Sequence, residues 1–175
     1  MFGKSSTKIL IKSVVLTTIV VVSYFTGRAL SAMVGMSDQF VSGMWCAVSA
    51  IVVFDDLREN VMTLLKNRLI GTFIGSLLAV LSIYFIHDIV ISLCVSLVIV
   101  STFINILNLS GALKIACTTV LIVTIPTHSA AFSEIWINAL MRFIESALGC
   151  LMSLGATVVM DQSKYIKNNT EEGAS

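Results

Sequence analysis

The chain has 175 residues, of which 57% are hydrophobic and 12% charged, with a mean hydropathy of +0.97. Soluble domains use roughly 45–50% apolar residues, so the composition describes a membrane protein of one domain and leaves no room within these residues for a soluble catalytic or nucleotide-binding module. The net charge of +1 says little as a sum; the distribution of the charges along the chain says more.

Lys4, Lys8 and Lys12 precede a run from Ser13 to Val22 that has the form of a signal peptide, with Ala29, Ser31 and Ala32 as a weak cleavage site. The apolar stretch continues past Tyr24 and Phe25, however, and an uncleaved first span over about residues 9–34 is expected. A second apolar run covers about residues 40–54 and ends in the charged turn Asp55 to Asn60. The third covers about residues 68–86 and ends at His87-Asp88; the fourth covers about 89–107. Both approach the roughly 20 residues needed to cross a bilayer core. The fifth, about residues 112–125, is short and is stopped by Pro126, the only proline. The sixth covers about residues 135–160, and residues 161–175 form a polar tail expected to lack regular structure. The sequence thus predicts an all-α polytopic membrane protein, with six transmembrane helices over residues 1–160 and a cytoplasmic tail over 161–175.

Six spans put both termini on one side. Lys4, Lys8, Lys12, Arg58, Lys66, Arg68, Lys114, Lys164 and Lys167 all fall on that side, while Arg28 and Arg142 lie within spans and the opposite loops carry no Lys or Arg. This asymmetry places the N- and C-termini in the cytoplasm. Cys46, Cys94, Cys117 and Cys150 are widely spaced within apolar runs and read as small buried hydrophobes. His87 and His128 have no neighbouring ligand in sequence, so neither a metal nor a cofactor is expected.

Two stripes of small and polar residues stand out at helical spacing. One reads Arg68, Gly71, Thr72, Gly75, Ser76, Ala79, Ser82; the other reads Arg142, Glu145, Ser146, Gly149, Cys150, Ser153, Ala156. They match at an offset of 74, apart from Gly71 against Glu145. One reading is close helix packing alone, with Gly71, Gly75, Ser146 and Gly149 as contact residues. The other is an internal repeat of three spans, which an odd span number turns upside down into a 3+3 inverted repeat. The second reading is favoured by the short second and fifth spans, which occupy corresponding places. Short spans are accommodated by bilayer thinning and tilt, or they are broken helices that line a cavity.

Arg142 lies within a span, where a charge costs about 2.5–3.5 kcal/mol on insertion scales. Glu145 follows it at i+3, so the two either form a purely structural pair or face a path in which Arg142 receives a carboxylate and Glu145 orients it or exchanges protons. Arg28 is expected to snorkel. Lys66 and Arg68 read as cytoplasmic anchors or as recruiters of anions. Trp45 is either an interfacial anchor or an aromatic wall for a ring-bearing substrate. There is no nucleophile-base pair and no phosphate loop, so no catalytic residue is assigned and an enzyme is not expected.

The segment Trp45-Cys46-Ala47-Val48-Ser49-Ala50, followed by a charged turn and by Asn67-Arg68-Leu69-Ile70-Gly71-Thr72-Phe73-Ile74-Gly75, resembles the membrane domain of the fusaric acid resistance proteins and aromatic acid exporters. Arg142-Phe143-Ile144-Glu145-Ser146-Ala147-Leu148-Gly149 is similar to the last helix of the same six-helix unit. The resemblance implies a multi-pass protein of the bacterial inner membrane that exports aromatic carboxylic acids on the proton gradient, with Arg142, Glu145, Trp45 and Arg68 as candidate substrate contacts. The plant aluminium-activated malate channels are distant relatives, which implies small organic anions and dimers. With one six-span unit, a homodimer in the lipid bilayer is the expected assembly, and no nucleic acid is involved. A transporter, an anion channel of the same fold and a non-transporting membrane scaffold are the three functions that remain.

Overall fold

A computed structural model describes residues 3–35, 38–55, 58–86, 88–125 and 132–172. His87, Pro126 and His128, singled out above, lie outside them. Regular structure among the described residues is entirely helical: α1 (Gly3–Val34), α2 (Gln39–Val53), α3 (Arg58–Phe85), α4 (Ile89–Ile106), α5 (Ser110–Thr124) and α6 (Phe132–Glu172). Stretches Ile9–Val34, Glu59–Phe85, Ile89–Ile106 and Ser133–Asp161 are long and apolar enough to cross a membrane. Helices α2 and α5 have 15 residues each, about 22 Å at ~1.5 Å per residue, against a hydrocarbon core of ~30 Å.

Two boundaries differ most from the sequence expectation. Helix α3 begins at Arg58 rather than near residue 68, because Val61, Leu64, Leu65 and Leu69 already recur at helical spacing across the cationic pair. Val61 is fully buried. Arg68 is therefore not a helix head: it stands ten residues inside α3, ~15 Å along its axis. Helix α6 runs on through residues 161–172, the stretch expected to be irregular, since no Gly or Pro interrupts the chain between Gly155 and Gly173.

Helix ends follow local chemistry. Gly35, at φ 76°, closes α1 in the left-handed region where glycine carries no Cβ penalty. The Asp88 side chain caps α4 by accepting from the N–H groups of Val90 at 2.9 Å and Ile91 at 3.0 Å. Asn108, at φ 55°, makes the tight turn from α4 to α5.

The chain forms two compact units. The first comprises Met1–Thr63 and Leu148–Ser175. In it α1 packs along α2, with backbones in near contact at Gly27, where an added Cβ would lie 2.7 Å from the Ser42 carbonyl oxygen. The C-terminal part of α6 seats on the other side chains of α2: a Cβ at Gly149 would strike the Cys46 carbonyl oxygen and approach Ser49 Cβ to 2.8 Å. Ser153 Oγ then donates to the Ala50 carbonyl at 2.5 Å, and Thr157 Oγ1 to that of Asp55 at 3.1 Å.

The second unit is Leu64–Ala147. Here α4 packs along α5, and α3 seats on α5, where a Cβ at Gly75 would lie 2.5 Å from the Ala116 carbonyl oxygen and 3.0 Å from Thr119 Cβ. Ser82 Oγ bonds the Ser92 carbonyl at 3.0 Å, tying α3 to α4. The apolar core of this unit centres on Val80, Val100, Ile104, Val120 and Val123. In both units buried polar groups are mostly hydroxyls, while large apolar side chains such as Phe25, Phe85, Val98 and Leu151 are exposed, the distribution expected of helices whose solvent is lipid.

Candidate functional site

A charge cluster forms in the second unit, from a buried pair on the N-terminal part of α6 and a half-buried arginine of α3. Both helices are long enough to place it well away from their first turns. Arg142 stands ten residues into α6, as Arg68 does in α3. The Arg142 side chain is 7% exposed and that of Glu145 is fully buried, with Arg142 Nη1 3.0 Å from Glu145 Oε2. Burying such a pair is sustained only when further polar groups surround it.

The next residue of α6, Ser146, is bonded from the matching turn of α3. Arg68 Nε donates to Ser146 Oγ at 3.3 Å, and Thr72 Oγ1 lies 3.4 Å from the same Ser146 Oγ. Thr72 Oγ1 also sits 2.8 Å from the Arg68 carbonyl and donates its single proton there, which leaves Ser146 as the donor to Thr72. The relay therefore runs from the Arg68 guanidinium to Ser146, to Thr72 and back to the Arg68 backbone. Phe73 and Phe143 close against each other edge-to-face, with ring centroids 5.9 Å apart.

Thr72 and Ser146 are 74 residues apart, the offset at which the two sequence stripes match. The contact between these hydroxyls joins α3 to the N-terminal part of α6. Arg68 and Arg142 are counterparts in the same register, and so are Gly71 and Glu145.

The structure draws Arg142, Glu145, Ser146 and Arg68 into one cluster, and Arg68, read from sequence as a cytoplasmic anchor or a recruiter of anions, stands half-buried beside Ser146. Thr72 is the residue that sequence reasoning passed over; its signal was its place opposite Ser146 in the matched stripes. Gly71 and Gly75 seat on α5, and Gly149 seats on α2 of the first unit. Trp45 lies half-buried on α2, its carbonyl accepting from Ser49 Oγ at 2.8 Å. Arg28 is exposed, its guanidinium 5.8 Å from the centre of the Tyr24 ring. Lys66 is exposed. Cys46 and Cys150 are buried as expected, whereas Cys94 is exposed on α4. Among the described residues no group of three or more His, Cys, Asp or Glu side chains is placed to hold a metal ion.

All-helical architecture, exposed apolar faces and a charge cluster held away from them define a polytopic membrane protein. A family model described as fusaric acid resistance protein-like matches residues 24–156, a range that contains the whole cluster. The chain belongs to that family, and with it to the proteins of membrane transport and resistance. Comparison with curated proteins found no match, and neither did comparison with solved structures.

Proposed function

We propose that the protein is an exporter-like transporter of organic anions, aromatic carboxylates among them, in the bacterial inner membrane, with both termini in the cytoplasm and a homodimer as the working unit. Arg142 is the contact for the substrate carboxylate, and Glu145 orients that contact or exchanges protons with it. The observation that carries this reading is the Arg142–Glu145 pair itself, 3.0 Å long and enclosed by protein. A guanidinium presents a planar fork that fits a carboxylate in two parallel hydrogen bonds, and a substrate acid takes the position that the Glu145 carboxylate holds at rest. The two 15-residue helices, each in the middle of its three-helix half, support the 3+3 inverted repeat as the framework of the path.

The packing speaks against the scaffold reading. A scaffold needs its small-residue faces for a partner, but Gly71 and Gly75 are occupied by α5, and Gly149 by α2. Substrate flux is the test. Purified protein in proteoliposomes is expected to move benzoate, and Arg142→Gln to abolish that movement while still inserting and assembling. Unchanged flux in the variant would remove Arg142 from the path. Benzoate conductance that persists without a proton gradient in a planar-bilayer recording would replace the transporter with a channel.

A further inference from the structure

Arg142 and Arg68 have polar partners inside the second unit. Arg28, on α1 of the first unit, stands differently. It lies six residues before the end of α1 at Val34, ~9 Å along the axis, and it is exposed. Among the described residues no carboxylate forms an ion pair with it, although Asp38 stands just ahead of α2. The stretch Ile9–Val34 has 26 residues, ~39 Å of helix, against a hydrocarbon core of ~30 Å. With α1 centred on that core, Arg28 stands just inside its edge, on the side of the connection to α2. A cation at this depth calls for an anion or for water.

The side chain is held in place. A Cβ at Gly43 of α2 would lie 2.8 Å from Arg28 Cγ and 2.8 Å from Tyr24 Cδ2, so the arginine stem and the tyrosine ring share the space that Gly43 leaves empty. The Arg28 guanidinium carbon is 5.8 Å from the centre of the Tyr24 ring, within the range of a cation–π contact. Tyr24 in turn meets Phe25 and Phe40 edge-on, with ring centroids 5.6 and 6.1 Å away. Phe25 and Phe40 are 60% and 66% exposed. Tyrosine is enriched where the hydrocarbon gives way to headgroups, the same level that the length of α1 assigns to Arg28.

We propose that Arg28, seated on Tyr24 and Gly43, binds the phosphate of an anionic phospholipid in the leaflet on the side of the α1–α2 connection. The guanidinium fork takes two phosphate oxygens, and Phe25 and Phe40 give the adjoining acyl chains an apolar surface. Phosphate is the anion present at this level of a bilayer. In a lipid of net negative charge, no headgroup cation competes with Arg28 for it. The rings around the guanidinium are exposed, so the ligand arrives from the bilayer rather than through the protein.

The test is native mass spectrometry of the full chain in a nonionic detergent with equal amounts of phosphatidylglycerol and phosphatidylcholine. Wild type is expected to retain phosphatidylglycerol about tenfold more often than phosphatidylcholine, as a hydrogen bond between charged groups allows. Arg28→Gln keeps the Cβ and Cγ that pack on Gly43, and is expected to bring the ratio close to one. Tyr24→Leu removes the ring beneath the guanidinium and is expected to lower the ratio about threefold. Lys114→Gln deletes an exposed cation of α5 and is expected to leave the ratio as in wild type.

Equal ratios in wild type and Arg28→Gln would overturn the proposal. So would a loss in Lys114→Gln as large as that in Arg28→Gln, which would mean that any surface cation serves. Glycerol 1-phosphate at the lipid concentration is expected to leave the retained lipid in place; displacement would assign the site to a soluble phosphate and overturn the lipid assignment.

Discussion

The two units of this molecule share a way of packing and differ in what they enclose. In the second, Gly75 of α3 rests on the carbonyl of Ala116 and the Cβ of Thr119; in the first, Gly149 of α6 rests on the carbonyl of Cys46 and the Cβ of Ser49. Each seat is a glycine of a long helix against a carbonyl of a short one, with a hydroxyl residue three positions further along, and the two glycines are 74 residues apart. Each short helix also has its hairpin partner, α1 for α2 and α4 for α5. The contents diverge. Beyond its seat the first unit buries hydroxyls, Ser153 and Thr157 bonding carbonyls at 2.5 and 3.1 Å. The second also encloses the Arg142–Glu145 pair, with a half-buried Arg68 bonded to the adjoining Ser146. The packing device is common to both units, whereas among the described residues buried charge occurs in one, and that is where selective chemistry is to be sought.

The largest effects are expected at the shared seats. Gly75→Leu and Gly149→Leu each push a side chain into a neighbouring backbone that cannot swing aside, and overpacking of well-packed interiors already costs about 1–3 kcal/mol where side chains are able to adjust. Both variants are expected to lose monodisperse, detergent-stable protein, with gel filtration as the measurement. If Gly75→Leu fails and Gly149→Leu is tolerated, the two seats are not equivalent. Gly155, with nothing within 4 Å of an added Cβ, serves as the control, and Gly155→Leu should elute as wild type does.

A second comparison concerns the contents. Arg142→Ala removes the guanidinium 3.0 Å from the Glu145 carboxylate, and breaking a buried pair from one side costs about 3–5 kcal/mol. Removing a single hydroxyl in the first unit, Ser153→Ala, is expected to cost about 1 kcal/mol. Thermal unfolding in one detergent should therefore lower the midpoint much more for Arg142→Ala. Equal shifts would mean that the charge cluster is bound no more tightly into its unit than a serine is into the other. Ser146→Ala falls between, since it deletes a hydroxyl linked to both Arg68 and Thr72.

Much of the framework was legible in the sequence because lipid-facing helices announce themselves by apolar runs. The two short helices, the capped start of α4 and the glycine stripes all follow from residue type and spacing. The start of α3 was not legible. Arg58, Glu59, Lys66 and Arg68 make residues 58–68 look like a loop to any reading of charge, while Val61, Leu64 and Leu65 hold it in a helix. This one boundary moved Arg68 from the head of a helix to a half-buried place ten residues inside it. The Arg142–Glu145 pair could be read from its i+3 spacing, which brings side chains together on any helix. The bond from Arg68 to Ser146 could not, since it joins residues 78 apart and depends on which faces of α3 and α6 meet. The offset of 74 was visible, but only contact between Thr72 and Ser146 gives it a geometric meaning.

The most direct measurement sets the two units against each other in one assay of benzoate flux in proteoliposomes, using Arg142→Gln from the second unit and Ser153→Ala from the first. Wild type and Ser153→Ala are expected to transport at comparable rates, and Arg142→Gln to fall to the rate of protein-free vesicles. Equal flux in Arg142→Gln and Ser153→Ala would contradict the assignment of transport chemistry to the buried charges of the second unit.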